Sequence, residues 1–258
     1  MKTYWFVFKK NLLVLQNDGN GNYSVPFCEE APLNIKAGRE VHDVHPLGFD
    51  TVKAFETEDE NTPEKCEWCD LRASFYKLPL NIYNAAGKCR EILYWDENTQ
   101  YCSTCGGKMH MHTDISKVCD KCGREIWPQL NTAVICLIQR GDDVLLVHAH
   151  NFRGTFYGLI AGFVETGENL EQALEREIKE ETGLTVTNIR YYASQPWPYP
   201  CGLMCGFYAD YVSGEIKLQE DELARGGWFN KDNMPELPGE MSIARRLIDH
   251  WLEVKHAK

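Results

Sequence analysis

The sequence predicts an α+β protein with more than one domain, and three observations carry that prediction. The chain has 258 residues, which suits two domains or slightly more. Short apolar runs and one helical pattern precede two Cys-x-x-Cys pairs, and strand patterns then lie on both sides of a charged helix. We therefore predict an N-terminal α+β domain at 1–98, a four-cysteine module at 99–126 and a C-terminal domain of strands and helices at 127–258.

Composition and charge narrow the class of protein. Hydrophobic residues make up 43% of the chain and charged residues 25%, as in ordinary globular proteins. No segment approaches the roughly 18 apolar residues of a membrane span, and the apolar run at 4–8 is too short for a signal peptide. Eleven cysteines without an export signal predict a reducing compartment, the cytoplasm. The net charge of −11 disfavours broad binding to a nucleic-acid backbone, but it allows a small phosphorylated substrate that binds through metal ions.

The N-terminal domain reads as short strands followed by a helix. Apolar runs at Tyr4–Phe8 and Leu12–Leu15 precede a turn-rich segment at 17–22. A helical pattern then covers Asn84–Trp95. No motif in this part indicates a function of its own.

The four-cysteine module has the spacing of a structural metal site. Thirteen residues separate its two Cys-x-x-Cys pairs, which consist of Cys102, Cys105, Cys119 and Cys122. Four thiolates at this spacing form the closed tetrahedral site of structural Zn²⁺. A redox role is disfavoured because no thioredoxin-like βαβ pattern surrounds the pairs. The linker at 110–114 is not basic, so we expect the module to join two domains rather than to bind nucleic acid.

A second metal site is a weaker hypothesis. Cys66 and Cys69 form a third pair, and His42 and His45 precede them. Only half of these four residues have a defined spacing, so we favour separate thiols.

The C-terminal domain is predicted to begin with a β-hairpin. Strands Thr132–Gln139 and Val144–His148 flank a turn at 140–143. A third strand, Phe156–Ala161, leads the chain into Gly162. Later strands are predicted at Thr185–Ala193, Leu203–Tyr211, Glu215–Leu218 and Gly227–Phe229.

Two helices complete this domain. The first lies between Gly167 and Gly183, and its apolar stripe consists of Leu170, Leu174 and Ile178. The closing helix begins after the N-cap Ser242, and its buried face consists of Ile243, Leu247 and Trp251.

The first of these helices carries a concentrated negative charge. Glu177, Glu180 and Glu181 lie within about one turn of each other and share a face. Their like charges repel, so a positive charge is expected opposite them. Mg²⁺ or Mn²⁺, which prefer oxygen ligands, are the natural candidates.

The segment from Gly162 to Leu184 resembles the Nudix box. Its glycines stand at fixed offsets from Arg176-Glu177 and Glu180-Glu181, and every constrained position of the pattern is filled. The resemblance implies metal-dependent hydrolysis of nucleoside diphosphates linked to another group. It also implies an α/β/α sandwich with a mixed sheet for the C-terminal domain.

A proline-rich loop narrows the resemblance to one branch. The segment 194–204 reads Ser-Gln-Pro-Trp-Pro-Tyr-Pro-Cys-Gly-Leu-Met, a stiff loop whose rings we expect to stay out of a core. Such rings suit stacking on a base, although a rigid strand connector is the alternative. The loop resembles Gln-Pro-Trp-Pro-Phe-Pro-x-Ser, the signature of the NADH pyrophosphatase branch, and the four-cysteine module is shared as well. Tyr199 replaces Phe, and Gly202 replaces Ser, which removes a hydroxyl that could contact substrate.

The branch implies a set of site residues. Metal ligands map to Glu177, Glu181, the main-chain carbonyl of Ala161 and a distal glutamate, for which Glu222 is the best match and Glu220 the alternative. Phe163 is a candidate to stack on a ring. The other implied substrate contacts are Arg72, Trp127, Gln195, Pro196, Trp197, Pro198, Tyr199, Pro200, Cys201, Gly202 and Ala244.

Four residues of the acidic helix region keep open roles. Glu180 or Glu181 is expected to accept the proton of the attacking water, and coupled carboxylates leave the choice open. Glu168 is expected either to support the metal ligands or to serve as an auxiliary ligand itself. Arg176 either pins the neighbouring carboxylates or contacts phosphate, since arginine serves both roles.

The implied reaction is hydrolysis of the diphosphate of NADH or NAD⁺ to AMP and NMNH or NMN. Removal of NAD caps from RNA is the same chemistry on a larger substrate. Other dinucleotides such as ADP-ribose are an alternative that the proline-rich loop argues against. A non-catalytic nucleotide sensor is disfavoured because all box carboxylates are present. The branch also implies a homodimer.

Overall fold

The computed structural model describes residues 1–256, which form two compact units. The first unit contains Met1–Gln129 together with Trp197–Cys201. The second contains Leu130–Pro196 together with the chain from Gly202 onward. The four-cysteine module therefore belongs to the first unit. In the described part of the chain, no helix is long and apolar enough to cross a membrane.

A seven-stranded sheet forms the body of the first unit. Its strands are β1 (Thr3–Lys9), β2 (Leu12–Asn17), β3 (Tyr23–Ser24), β4 (Phe27–Cys28), β5 (His42–Val44), β6 (Val52–Glu56) and β7 (Cys66–Asp70). Strand β1 pairs in parallel with β6 and antiparallel with β2 and β4. Phe6, Phe8, Leu13 and Phe55 are fully buried, so the apolar runs that predicted β1 and β2 build the core.

Helix α1 and a small sheet complete this unit. Helix α1 spans Leu80–Asn98 and extends beyond both ends of the predicted segment Asn84–Trp95. A three-stranded antiparallel sheet of β8 (Met109–Thr113), β9 (Ser116–Cys119) and β10 (Glu125–Ile126) carries the cysteine pairs.

A buried ion pair joins the small sheet to the end of α1. Lys117 of β9 is 1% exposed, and its Nζ lies 2.5 Å from Asp96 Oδ1. The same ammonium donates to the main-chain carbonyls of Asp96 at 2.9 Å and Thr99 at 3.2 Å. Carbonyls at a helix C-terminus lack intrahelical donors and carry the negative end of the helix dipole, so the ammonium caps α1. Burial opposes ionisation of Asp96, but hydrogen bonds from His42 and Lys117 outweigh it and lower the pKa of Asp96 to about 2.

The second unit is an α/β/α sandwich. Its strands are β11 (Asn131–Arg140), β12 (Asp143–Ala149), β13 (Ile160–Phe163), β14 (Thr185–Trp197), β15 (Gly202–Ser213) and β16 (Leu223–Phe229). The strand order is β14-β15-β11-β12-β16, with β13 on β11. The sheet is mixed, because β11 pairs in parallel with β15 but antiparallel with β12 and β13.

The two remaining helices cover opposite faces of this sheet. Alternate residues of β11 point to opposite sides, as the pleat requires. Val134 and Ile138 belong to the core that contains Leu174 and Ile178 of α2 (Leu170–Thr182). The intervening residues Ile135 and Leu137 belong to the core that contains Leu247 and Trp251 of α3 (Ile243–His256). The predicted apolar faces of both helices are thus confirmed.

One strand prediction for this unit is wrong, and a second is wrong in its starting point. The segment Glu215–Leu218 is extended but is not a strand. Its Lys217 N–H donates to Thr182 O, so it satisfies the end of α2 instead of a sheet ladder. The strand predicted at Phe156–Ala161 begins only at Ile160 and is preceded by a single bridge between Gly158 and Val147.

Candidate functional site

Helix α2 is fixed at both ends, which sets the direction of its acidic face. Asn169 accepts a hydrogen bond from Gln172 N at 2.8 Å, and the Gln172 side chain accepts from Asn169 N at 3.0 Å. This capping box starts the helix. Gly183 ends it with a left-handed backbone at φ 74°. Leu174 and Ile178 face the core, and Glu177 and Glu181 each lie three residues further along, so their side chains flank this buried stripe.

Three carboxylates gather beside this helix. Glu177 and Glu181 come from α2, and Glu222 lies in the turn directly before β16 rather than in a strand. Burial, together with the charges of Glu177, Glu222 and Glu180, raises the pKa of Glu181 to about 8. Burial also raises the pKa of Glu177. Among residues 1–256, neither Glu181 nor Glu222 forms an ion pair. Glu181 is buried, Glu222 is exposed, and of the three only Glu177 pairs with Arg176, so the group keeps an excess of negative charge that a hard divalent cation would complete.

Glu181, Glu222 and Ala161 line the same cavity, which has a volume of about 380 Å³. Its other walls include Val147, Leu159 and His150. The cavity therefore joins an apolar wall to two carboxylates and to the strand residue that the resemblance implies as a main-chain ligand. Glu220, the alternative to Glu222, is not among the residues that form it.

Gly162 allows Glu177 to lie against β13. A Cβ atom built on Gly162 would be 2.0 Å from Cδ of Glu177 and 2.1 Å from its Oε1. Only glycine leaves this space open, so the box glycine has a steric role at the carboxylate itself.

Arg176 is fully engaged by the residues around it. Its Nε donates to Glu168 Oε1 at 2.6 Å and its NH2 to Glu168 Oε2 at 2.9 Å. Its NH1 donates to Glu177 Oε1 at 2.9 Å and to Glu180 Oε2 at 3.1 Å, and its NH2 also donates to Phe163 O at 3.0 Å. A guanidinium has five N–H groups, and these five bonds use them all. The arrangement is that of a structural salt bridge, in which hydrogen bonds from Arg176 lower the pKa of Glu168.

The turn that carries Glu222 is anchored by the main chain on both sides. Gln219 N donates to Glu181 O at 3.0 Å, and His150 N donates to Glu222 O at 2.9 Å. The His150 ring lies 3.0 Å from Glu220 O through its Nε2. Sequence reasoning missed His150 and Gln219, because their main-chain and side-chain contacts to this turn belong to no sequence motif.

The proline loop, defined here as Trp197–Cys201, is packed more tightly than we expected. Pro198 is buried, and the hydroxyl of half-buried Tyr199 lies 2.8 Å from that of Tyr83. The expectation that its rings stay out of a core is therefore wrong for Tyr199. The Arg72 guanidinium lies 4.4 Å from the ring centroid of Tyr199 and 5.2 Å from that of Trp197. Arg72 therefore lies against the proline loop, and its contact with substrate stays a prediction.

The other implied substrate residues differ in how open they are. Trp127 is 53% exposed and Phe163 is 64% exposed, so both offer ring surface. The Gln195 side chain donates to Met241 O at 2.7 Å, while its buried Oε1 accepts no hydrogen bond from any residue in 1–256. Pro196 and Pro200 are exposed, Cys201 and Gly202 are half-buried, and Ala244 is buried in α3. Arg72, Trp127 and the proline loop belong to the first unit, and the remaining residues belong to the second.

The four cysteines form a compact cluster. Their Sγ atoms all lie within 4.8 Å of one another, and in residues 1–256 no other three or more histidines, cysteines or acids come so close. Amide donors of Thr104 and Cys105 lower the pKa of Cys102 to about 6, and the amide of Cys122 lowers that of Cys119. The amide of Arg124 lowers the pKa of Cys122, but hydrogen bonds with the neighbouring thiols outweigh it and raise that pKa to about 12. Four sulfurs at these distances, two of them stabilised as thiolates, fit tetrahedral Zn²⁺, which favours the thiolate form of its ligands.

The hypothesis of a second site at Cys66 and Cys69 gains no support. His42 lies 3.4 Å from Asp96, and His45 lies 3.1 Å from Asp114. The carboxylates of Glu177, Glu181 and Glu222 do not form a cluster with ligand atoms as close as those of the four thiols.

Two family models match the chain. Residues 129–252 match the NUDIX domain. Residues 2–95 match the NADH pyrophosphatase-like rudimentary NUDIX domain.

Curated relatives and a solved structure agree with these matches. The chain is 42% identical over 187 residues to the NAD-capped RNA hydrolase NudC of Pseudomonas aeruginosa (strain LESB58), which covers 72% of this chain and 67% of that protein. It is 37% identical over 212 residues to the protein of the same name from Pseudomonas putida (strain W619), covering 81% of this chain and 77% of that one. The crystal structure of a NUDIX hydrolase from Nitrosomonas europaea superposes with a TM-score of 0.53 at 25% identity, over 62% of this chain and 94% of that chain.

Proposed function

Because the chain belongs to the Nudix hydrolase family and carries the NADH pyrophosphatase-like N-terminal domain, we propose that it hydrolyses the diphosphate of NADH and NAD⁺. The products are AMP and NMNH or NMN. The observation that carries the proposal is the group of Glu177, Glu181 and Glu222, of which the last two line one cavity with Ala161.

The chemistry needs positive charge at these carboxylates. Mg²⁺ or Mn²⁺, when bound, neutralises the diphosphate and favours ionisation of the attacking water. Glu177, Glu181, Glu222 and the carbonyl of Ala161 are the residues that would hold the ion. Arg176 keeps the Glu177 carboxylate in place through its NH1. Water adds across the phosphoanhydride, one P–O bond breaks, and Glu180 or Glu181 takes the proton.

Substrate recognition is assigned to the exposed rings and to the proline loop. Trp127 and Phe163 offer surfaces on which a nicotinamide or adenine ring can stack. Gln195 Oε1 is a buried acceptor that the described residues leave without a donor, which suits an amide or amino group of the substrate.

Three further statements complete the proposal. The four cysteines hold a structural Zn²⁺, which the proximity of their sulfurs supports. The protein acts in the cytoplasm, which the eleven cysteines, none of them in a disulfide, support. It acts as a homodimer, as the resemblance to the NADH pyrophosphatase branch implies.

Removal of NAD caps from RNA is the second candidate activity. The relatives named NAD-capped RNA hydrolase, at 42% and 37% identity, favour it. The net charge of −11 weakens contacts to the RNA backbone. Competition between NADH and a capped oligonucleotide, with ADP-ribose as a third substrate, ranks the activities. Preference for ADP-ribose would contradict the assignment to NADH.

The direct test replaces Glu181 by Gln. We expect hydrolysis of NADH, followed as AMP release with Mg²⁺ or Mn²⁺, to fall at least about 100-fold because a metal ligand becomes neutral. Glu175→Gln, which changes an exposed acid of the same helix, should keep wild-type turnover. Near-normal hydrolysis by Glu181→Gln would refute the metal assignment.

A further inference from the structure

The proline loop is held by a tyrosine of α1. The hydroxyl groups of Tyr83 and Tyr199 lie 2.8 Å apart, and Tyr83 is only 6% exposed. Burial raises the pKa of both phenols, so both stay protonated and one donates to the other at neutral pH. Loss of either hydroxyl would leave a poorly solvated polar group without this partner.

One turn after Tyr83, Gly87 leaves room beside α1 for Pro198, the loop residue that precedes Tyr199. A Cβ built on Gly87 would lie 3.1 Å from Pro198 Cγ and 3.6 Å from its Cβ. Glycine in the middle of a helix is less favourable than alanine, so its presence in α1 calls for a steric reason. Pro198 supplies one. Tyr83 and Gly87 are four residues apart and therefore share the face of α1 that receives the loop.

Arg72 closes the loop from another direction. Its guanidinium stacks on the rings of Tyr199 and Trp197, and its main-chain N–H donates to Asp70 Oδ1 at 2.9 Å. Three residues of the N-terminal part of the chain thus contact three consecutive residues of the loop. All of them lie within the first compact unit.

We propose that Tyr83 and Gly87 are positioning residues that fix the proline loop, so that the rudimentary NUDIX domain sets the affinity for the dinucleotide. This inference rests on the proposed function, because it assumes that the loop contacts substrate. It assigns a task to the N-terminal domain, for which the sequence offers no motif. The alternative is that these contacts only stabilise the fold.

A positioning role and a purely structural role predict different effects of substitutions on KM and on stability. We expect Tyr83→Phe to raise KM for NADH about 2- to 10-fold, the effect of one lost hydrogen bond, with kcat within about twofold of wild type. Phenylalanine keeps the edge contact with Phe75, whose ring centroid is 5.3 Å away. Tyr94→Phe removes a hydroxyl about three turns further along the same helix and should leave KM unchanged. An unchanged KM in Tyr83→Phe would overturn the proposal.

A double-mutant cycle tests whether Tyr83 acts through Tyr199. If it does, adding Tyr83→Phe to Tyr199→Phe changes KM by less than about twofold, since the partner hydroxyl is already gone. Fully multiplicative effects would show that the two residues act separately and would contradict the proposal. Gly87→Ala is the second variant. Alanine favours the helix, so we expect an unchanged or higher Tm together with a higher KM, whereas a purely structural role predicts that KM stays at its wild-type value.

Amide hydrogen exchange separates this inference from the proposed function. Tyr83→Phe should speed exchange in the peptide that contains Trp197, Tyr199 and Cys201, and Tyr94→Phe should not. If the wild-type protein leaves NADH intact, the proposed function is contradicted. The exchange rates of the loop peptide would still decide whether Tyr83 fixes the loop. Equal exchange in Tyr83→Phe and wild type would sink the inference even if NADH is hydrolysed.

Discussion

Gly162 shows how a single absent side chain can define a catalytic group. A Cβ atom on this residue would lie 2.0 Å from Cδ of the Glu177 carboxylate, so only glycine fits at this position. We expect Gly162→Ala to displace that carboxylate and to reduce hydrolysis about 100-fold, the loss typical of a misplacement near 1 Å. Gly227→Ala is the matched control, because its Cβ would lie 3.8 Å from the nearest atom. Activity near wild type in Gly162→Ala would show that Glu177 does not need this position.

Glu181 makes the protein without divalent ions sensitive to pH. The folded state holds its proton up to about pH 8, whereas the unfolded chain releases it near 4.5. The folded state thus binds more protons between these values, and the free energy of unfolding falls as pH rises through this window. We expect Glu181→Gln to be more stable than wild type by at least about 2 kcal/mol at pH 8, with a smaller difference at pH 5.

Urea unfolding of both proteins without added Mg²⁺ or Mn²⁺ measures this difference. An equal gain in the free energy of unfolding at pH 5 and pH 8 would argue against a buried Glu181 carboxyl with a raised pKa. The same substitution that abolishes turnover should therefore strengthen the fold, because the charge that the reaction needs is costly to bury.

The residues of the acidic cluster could be predicted from sequence, but their surroundings could not. Glu177 and Glu181 follow from helical spacing, since local periodicity places them on one face. The sequence does not fully distinguish Glu222 from Glu220 as the distal glutamate, whereas the turn before β16 places Glu222 but not Glu220 at the cavity. Arg176 kept two roles open until its five hydrogen bonds were seen.

At the scale of elements, α1 depends on a lysine from the small sheet. We expect Lys117→Met to lower the free energy of unfolding by about 2–3 kcal/mol, because the Asp96 carboxylate then keeps only His42 at 3.4 Å and Arg39 at 3.9 Å, and the end of α1 loses its donor. Lys108→Met, at an exposed position of the same module, is the control. Chemical unfolding measures both, and a loss below about 1 kcal/mol, typical of an exposed pair, would contradict the assigned role.

The pH dependence of this pair has the opposite sign to that of Glu181. The pKa of Asp96 is lowered from 3.8 to about 2 in the folded protein. Its contribution is therefore fully present above pH 3.8 and is lost as pH falls towards 2.

Elements with a strong local period could be predicted, and elements defined by distant partners could not. Helix α2 follows from Leu174 and Ile178, and the hairpin of β11 and β12 follows from its turn. The extended segment at Glu215–Leu218 has strand-like residues but bonds to the end of α2, which no local pattern records. The contact between Tyr83 and Tyr199 joins residues 116 positions apart and lies outside any sequence window.

At the scale of the molecule, the four-cysteine cluster should stabilise the first unit through its metal. We expect purified protein to contain about one Zn²⁺ per chain and Cys119→Ser to lose it, with a lower Tm, since structural zinc contributes folding free energy. Cys66→Ser should retain the metal, because Cys66 lies outside the cluster. Metal analysis by mass spectrometry checks both variants, and zinc loss in Cys66→Ser would revive the second-site hypothesis.

Sequence reasoning placed the domain boundaries at 98 and 126, and these stay predictions. The compact units group the cysteine module with the N-terminal sheet and give the proline loop to the first unit. Composition and motif spacing describe consecutive stretches of chain. They therefore cannot reveal that the proline loop, from the end of β14 to the start of β15, packs against α1 through Pro198 and Tyr199.

The proline loop comes from the C-terminal half of the sequence but packs in the first unit, and this restricts how the gene can be recombined. A recombination event near codon 130 that joined a foreign N-terminal half to this C-terminal half would keep every box carboxylate. It would nevertheless separate Tyr199 from Tyr83 and Pro198 from the space above Gly87. We therefore expect chimaeras between divergent relatives to recover function only when the pentapeptide is exchanged together with the helix that receives it.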